Sequence, residues 1–352
     1  MKRKNKRQEV AKRGHKVTKQ RFLKQKEQPI RIAIIGAGPI GCILGAYLAR
    51  TKHQVVLVDI LKPRLETIKK IGITVSGVVN FQTTIHDVTN RISNLKKFNP
   101  DYIFIAVKTS VLTSILRQVK LVMPKHAMVI SFQNGLDVEH EISNVLGKNK
   151  VLRAVINYAG NLMVEGQIMM SFFNAPNYIG ALSTESKPVA EKLVHILTTA
   201  GLTTKFVPDI RKYTWEKTIL NASLAPVCAL TRLTMKDAME LPETNKLVQN
   251  ILKESIEVAK ANGYDPGRKF FNNGLTYLQK AGPHKPSMLI DIESSNSTEI
   301  EFLNQKISDY GKMKKITTPY NDTLTQLIKG LEKLFTSSHQ KPSKTTEEKN
   351  TE

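Results

Sequence analysis

A lysine and an asparagine stand four residues apart in Thr214-Trp-Glu-Lys217-Thr-Ile-Leu-Asn221-Ala-Ser-Leu-Ala225-Pro226, and on a helix that spacing places both on one face. The positions around them are mostly apolar or small. A lysine on such a face must find an anion or lose its charge through desolvation; the plainer alternative is a solvated lysine snorkelling past core residues, which the polar Asn221 one turn on makes less attractive. Trp215 reads as a packing residue. Two further candidates follow apolar runs. Lys108 comes directly after Ile103-Phe-Ile-Ala-Val107, and Asn134 closes Ser131-Phe-Gln-Asn134-Gly135. Residues at the carboxyl end of a parallel strand face ligands in open α/β sheets, and an amide there can hydrogen-bond both a cofactor and a ketone. A surface lysine on a βα loop and a plain Asn-Gly chain reversal are the competing readings. The last cluster holds Ser287, in Pro286-Ser287-Met-Leu-Ile-Asp291, and Glu299, in Ser297-Thr298-Glu299-Ile. A helix cap and an exposed first-turn acid would account for these two equally well.

The elements that would position such residues begin with Arg31-Ile-Ala-Ile-Ile-Gly36-Ala37-Gly38-Pro39-Ile40-Gly41, which leads through an apolar helix into Gln54-Val-Val-Leu-Val-Asp59. Gly36 permits a tight turn after the strand, Gly38 lets the backbone approach a pyrophosphate, and Gly41 lets the helix pack closely on the sheet. The phosphates would sit on the amides of the helix N-terminus. The expected fold is therefore α/β: a Rossmann dinucleotide-binding domain over 29–209, followed by an all-α domain over 210–335. Strands are expected at Ile32 to Ile35, Val55 to Val58, Tyr102 to Ala106, Met128 to Ser131 and Val151 to Val155. Further runs, Gln167 to Phe172, Tyr178 to Ile179 and Thr203 to Val207, read as an extension of the sheet with an antiparallel edge. Helix-period apolar positions mark Val189 to Thr199, Tyr213 to Leu230, Pro242 to Asn262, Pro266 to Lys280 and Ile300 to Lys312, with Pro266 in the first turn of its helix. A cleft between the two domains is where cofactor and substrate would meet.

The chain has 352 residues and a net charge of +23. Residues 1–28 carry twelve Lys/Arg against Glu9 and Glu27, a net of +10. That stretch lacks the apolar core of a secretory signal and reads as a disordered basic leader able to touch nucleic acid or anionic surfaces nonspecifically. The segment 336–352, rich in Ser, Thr, Lys and Glu, reads as a disordered tail. No apolar run reaches the roughly 18 residues of a membrane span. Cys42 and Cys228 are far apart, with no His or CxxC spacing beside them, which points to buried thiols, no metal site and a cytoplasmic setting.

The glycine turn, Val107-Lys108, Gln133-Asn134-Gly135, Trp215-Glu-Lys217 with Asn221, and Ser287-Met-Leu-Ile-Asp291 followed by Thr298-Glu299-Ile300 occur in the order seen in ketopantoate reductases. From about residue 30 to about 335 the chain resembles that family. The resemblance implies reduction of 2-dehydropantoate to pantoate on the route to pantothenate and coenzyme A. It implies Lys217 as proton donor, Asn134, Asn221 and Ser287 as substrate contacts, Glu299 as a cleft carboxylate touching cofactor or substrate, and Lys108 as a cofactor-side lysine. Alkoxide charge grows on the ketone oxygen during such a reduction, and an ammonium stabilises and then protonates it. Two positions depart from the pattern. Ala225 stands where the family often has a second Asn, and Asp59-Ile60 where it often has a basic residue for the 2′-phosphate of NADP. An acid there suits the ribose hydroxyls of NAD and repels a phosphate, although Lys62 and Arg64 lie near. The cofactor is expected to be NAD or NADP, leaning to NADH. A related reductase of branched 2-oxo acids, and a nucleotide-sensing or nucleic-acid-associated protein, are the alternative functions; a homodimer stays open.

Overall fold

The computed structural model of the chain describes residues 28–338, so the expectations for the leader and for most of the tail fall outside the described residues. Among the described residues twelve strands occur, in chain order: β1 Arg31–Ile35, β2 Gln54–Val58, β3 Ile73–Gly77, β4 Phe81–Thr83, β5 Asp87–Thr89, β6 Tyr102–Ile105, β7 Met128–Ser131, β8 Val151–Val155, β9 Tyr158–Val164, β10 Gln167–Phe173, β11 Asn177–Ala181 and β12 Thr204–Phe206. Eight form one sheet in the order β12-β11-β8-β7-β6-β1-β2-β5. Pairing from β5 through β8 is parallel, and β11 runs antiparallel to β8 with β12 alongside it. The antiparallel edge expected from the sequence is present. Successive side chains of a strand point to opposite faces, and here both faces are covered: Ile32 and Ile34 enter one core while Ala33 and Ile35 enter another. That double burial is why these strands read as continuous apolar runs.

One expected strand belongs elsewhere. The Gln167 to Phe172 run is part of β10, which pairs with β3 and β9 in a separate four-stranded sheet of order β4-β3-β10-β9. Ile73, Val75, Ile168 and Met170 turn their side chains into the same core as Ile43, Leu44 and Tyr47 of the helix Pro39–Ala49. The small sheet thus covers the side of that helix that faces away from the large sheet. Burial of residues 41 to 48 without interruption follows from this arrangement.

After Asp209, whose side chain accepts from the Arg211 N–H at 3.1 Å, the helix Ile210–Thr231 runs through the middle of the second domain. The helices Pro242–Ala261, Ser287–Glu293 and Pro319–Ser338 pack around it on a core of its own. The second domain is all-α, as expected, but several boundaries differ. Asp265 Oδ1 accepts from the Gly267 N–H at 2.9 Å, and this local turn delays the helix expected at Pro266 until Phe270. A 3-10 turn, Ile300–Phe302, precedes the helix Asn304–Met313. The helix Met235–Glu240 was not anticipated, nor was Pro319–Ser338, which continues past the expected boundary at 335. The buried Glu254 accepts from the Tyr320 and Asn321 N–H groups at 3.1 and 2.9 Å, satisfying amides that the start of a helix leaves unpaired. Cys42 and Cys228 are buried free thiols, and among the described residues no helix is long and apolar enough to cross a membrane.

Candidate active site

Between β1 and the helix Pro39–Ala49 the backbone makes a cradle shaped by three glycines. Gly36 sits at φ +107°, and a Cβ there would stand 2.7 Å from the Ala106 carbonyl oxygen; at Gly41 it would stand 1.9 Å from the Gly36 oxygen. Neither position has room for a side chain. At Gly38 an added Cβ meets nothing within 4 Å, so the turn is open on the side where a pyrophosphate would approach. With Pro39 at the first helical position, the cradle fits a dinucleotide. Ala37 and Ile40 complete it.

Asp59 directly follows β2 beside this turn, and both its oxygens already hold backbone amides: Oδ2 accepts from Ala37 N–H at 2.7 Å and Oδ1 from Leu61 N–H at 3.0 Å. Read from sequence as a ribose acceptor alone, Asp59 is also a brace that fixes the glycine turn to the second strand. Lys62 is exposed. Arg64 is engaged by Glu165, with Nε at 2.6 Å from Oε2 and Nη2 at 3.3 Å from Oε1.

Other candidates meet over the carboxyl ends of β6, β7 and β8, where the two domains touch. Lys108 leaves β6 and its Nζ pairs with Asp291 Oδ2 at 2.7 Å across the two domains. Burial opposes the Lys108 ammonium, but Glu299 and Asp291 outweigh it and raise its pKa above the usual value. Burial raises the Asp291 carboxyl to about 6 against the Lys108 charge, with Glu299 and Glu332 adding to the rise. Asn134, just past β7, donates from Nδ2 to Glu299 Oε2 at 3.2 Å. Glu299 is only 7% exposed, which removes the reading of it as an exposed first-turn acid. Lys217, from the helix Ile210–Thr231, donates from Nζ to the carbonyl oxygen of Ile156, just beyond β8, at 2.6 Å. Burial first, and then the nearby Arg153, bring its pKa down to about 7, with Glu299 pulling the other way.

Glu299 links three of the other candidates: it accepts from Asn134, and its charge acts on both Lys108 and Lys217. Asn221 is half-buried one turn beyond Lys217 and its side chain makes no hydrogen bond among the described residues. Ser287 is exposed at the first position of its helix, where Pro286 is the cap residue, so it is not the cap, and its side chain hydrogen-bonds none of the other candidates.

Two participants were missed. Asp291 shares the helix Ser287–Glu293 with Ser287, but its pairing with a lysine 183 residues away leaves no local signal. Arg153 is 2% exposed in the middle of β8. It donates from Nη1 to Ser131 Oγ at 2.7 Å and from Nη2 to the Gly135 carbonyl at 2.9 Å, with Nε 3.5 Å from the buried Glu139. A buried cation must be paired, so an arginine inside an apolar strand run was the available clue. It holds the loop that carries Asn134. A cavity of about 10 Å³ between Gln133, Arg153, Thr214, Lys217 and Thr218 has room for one water molecule.

Residues 32–184 match the family described as ketopantoate reductase PanE/ApbA, and residues 209–332 match its C-terminal domain. The 2-dehydropantoate 2-reductase of Archaeoglobus fulgidus is 27% identical over 302 residues, covering 86% of this chain and 98% of that protein. That of Pyrococcus abyssi is 28% identical over 311 residues, covering 87% and 99%. Among solved structures, D-mandelate dehydrogenase with NADH and anilino(oxo)acetate superposes with a TM-score of 0.79 at 24% identity, over 87% of this chain and 99% of that one. The PanE/ApbA family ketopantoate reductase from Ralstonia eutropha JMP134 gives 0.78 at 23%, over 87% and 100%. These two establish likeness of fold. With both of its domains matched by the family's own, the chain belongs to the ketopantoate reductase PanE/ApbA family.

Proposed function

We propose that this protein reduces 2-dehydropantoate to pantoate, with NADH as the preferred reductant, and so serves the synthesis of pantothenate and coenzyme A. The observation that carries the reading is Lys217: an ammonium brought to a pKa of about 7 by burial and by Arg153, at the ligand-facing edge of the sheet beside Asn134 and Glu299. The names of the Archaeoglobus and Pyrococcus relatives support the substrate.

The reduced nicotinamide, when bound, supplies a hydride to the C2 carbonyl of the substrate. Lys217 Nζ turns from the Ile156 carbonyl to the substrate's ketone oxygen, stabilises the negative charge that develops there, and delivers the proton. Asn134, steadied by Glu299, and Asn221, whose amide has no other partner among the described residues, hydrogen-bond the substrate. Ser287 contacts it from the rim. Lys108, held by Asp291, acts on the cofactor side. The cationic side chains suit an acidic substrate, since a carboxylate needs donors once water is excluded.

Ala225 favours a second reading, in which other branched 2-oxo acids are the substrate. It is buried on the same helix as Asn221 and offers no hydrogen bond where the family often places an amide. Oxidation of NADH and NADPH in the presence of 2-dehydropantoate and a panel of 2-oxo acids tests both. Fastest turnover with 2-dehydropantoate is the expected result; fastest turnover with another branched acid establishes the second reading. No turnover with any 2-oxo acid overturns both.

A further inference from the structure

We infer that Glu165, at the tip of the β9–β10 hairpin, selects against a 2′-phosphate on the cofactor by occupying the guanidinium that would otherwise bind it. The inference rests on the dinucleotide reading above and adds a residue from outside the β2 loop to the choice between NADH and NADPH. Asp59 and Arg64 both touch Ala37 in the glycine turn: Asp59 Oδ2 accepts from its N–H at 2.7 Å, and Arg64 Nη1 donates to its carbonyl oxygen at 3.4 Å. Arg64 therefore lies at the end of the cradle where the adenosine ribose belongs. A guanidinium there suits a phosphate through its paired N–H groups. In this chain that edge is already taken, with Nε at 2.6 Å and Nη2 at 3.3 Å from the two carboxylate oxygens of Glu165.

The carboxylate is delivered by a firmly placed element. Glu165 and Gly166 form the turn between two paired strands. The Gly166 carbonyl accepts from the Thr74 N–H at 2.8 Å, tying the tip to β3. Asp59 and Glu165 place two carboxylates around a single arginine. A ribose with free hydroxyls adds no charge to this group. A 2′-phosphate adds nearly two negative charges and must displace Glu165 before Arg64 can bind it. Discrimination of this kind works by repelling the wrong ligand as much as by attracting the right one. The Glu165 side chain is 38% exposed against 14% for Arg64, so the carboxylate can swing into water once displaced and the effect is one of degree.

Isothermal titration of the purified protein with NADH and with NADPH, without substrate, reads this directly. Glu165→Gln keeps the size and removes the charge. It is expected to tighten NADPH relative to NADH by about fivefold to tenfold. Adding Arg64→Ala to that variant is expected to erase the gain. A ratio of the two dissociation constants unchanged by E165Q, or a gain that survives R64A, overturns the inference while leaving the dinucleotide reading intact. Failure of the unaltered protein to bind either dinucleotide overturns both.

Discussion

Two lysines from different domains share the neighbourhood of Glu299, and their surroundings push them in opposite directions. Lys108 leaves the carboxyl end of a strand and meets Asp291 at 2.7 Å; the carboxylates around it keep it charged beyond the ordinary lysine range. Lys217 comes from a helix face and has a backbone carbonyl as its hydrogen-bond partner. Burial and a neighbouring guanidinium bring it to about 7. An ammonium that stays charged is suited to holding an anion, whereas one near neutrality can give up its proton under ordinary conditions. The residue type is the same; burial and the sign of the dominant neighbouring charge set the two apart.

The division can be broken first at Lys217. Lys217→Ala is expected to lower kcat by about 10² to 10⁴, the range for a positioned general acid, while the dissociation constant for NADH stays unchanged. Near-normal turnover in the folded variant would remove Lys217 from the proton step. At Lys108 the expected change is smaller and of another kind. Lys108→Ala should raise the apparent KM for the dinucleotide by about tenfold with less effect on kcat, as for loss of a binding contact. Steady-state kinetics with cofactor varied separates the two, and a fall confined to kcat would reverse the assignment.

The third expectation sharpens the comparison through pH. As a proton donor Lys217 must be protonated, so kcat/KM for reduction should be full below about 7 and fall as pH rises through that value. Arg153 lowers the Lys217 pKa, so Arg153→Met combined with Glu139→Gln, which avoids leaving a buried carboxylate unpaired, should move that limb to higher pH. The pH at which log kcat/KM breaks downward in the two proteins is the measurement. Superimposable profiles would show that the guanidinium does not set the lysine's acidity.

The legible parts of this molecule were those whose signal is local. β1, β2, β6, β7 and β8 are buried on both faces, so each reads as an apolar run. Gly36, Gly38 and Gly41 carry their geometry in their spacing, and Lys217 with Asn221 declares a shared helix face. The small sheet escaped because β3 and β4 come from 73–83 and β9 and β10 from 158–173; its pairing joins segments that no short window contains. Ser287 and Glu299 looked alike in sequence as polar residues near helix starts. Tertiary packing made one exposed and the other buried. Arg153 was visible as an arginine within a strand, yet its partners Ser131, Gly135 and Glu139 become apparent only when β7 and β8 lie side by side.

Gly135 makes the two halves of this protein poor candidates for exchange. It follows Asn134 at φ +98°, and a Cβ there would lie 2.5 Å from Cβ of Phe302 and 2.6 Å from its carbonyl oxygen, while the next residue, Leu136, donates its N–H to that same carbonyl at 2.9 Å. The loop presenting Asn134 is thus seated backbone to backbone on the other domain. A chimera that joins this nucleotide-binding half to a relative's helical half inherits the chemistry only if the glycine and its seat arrive as a matched pair. Recombination within the family is constrained at this seam more tightly than at the connection near Asp209, where the chain passes from one half to the other.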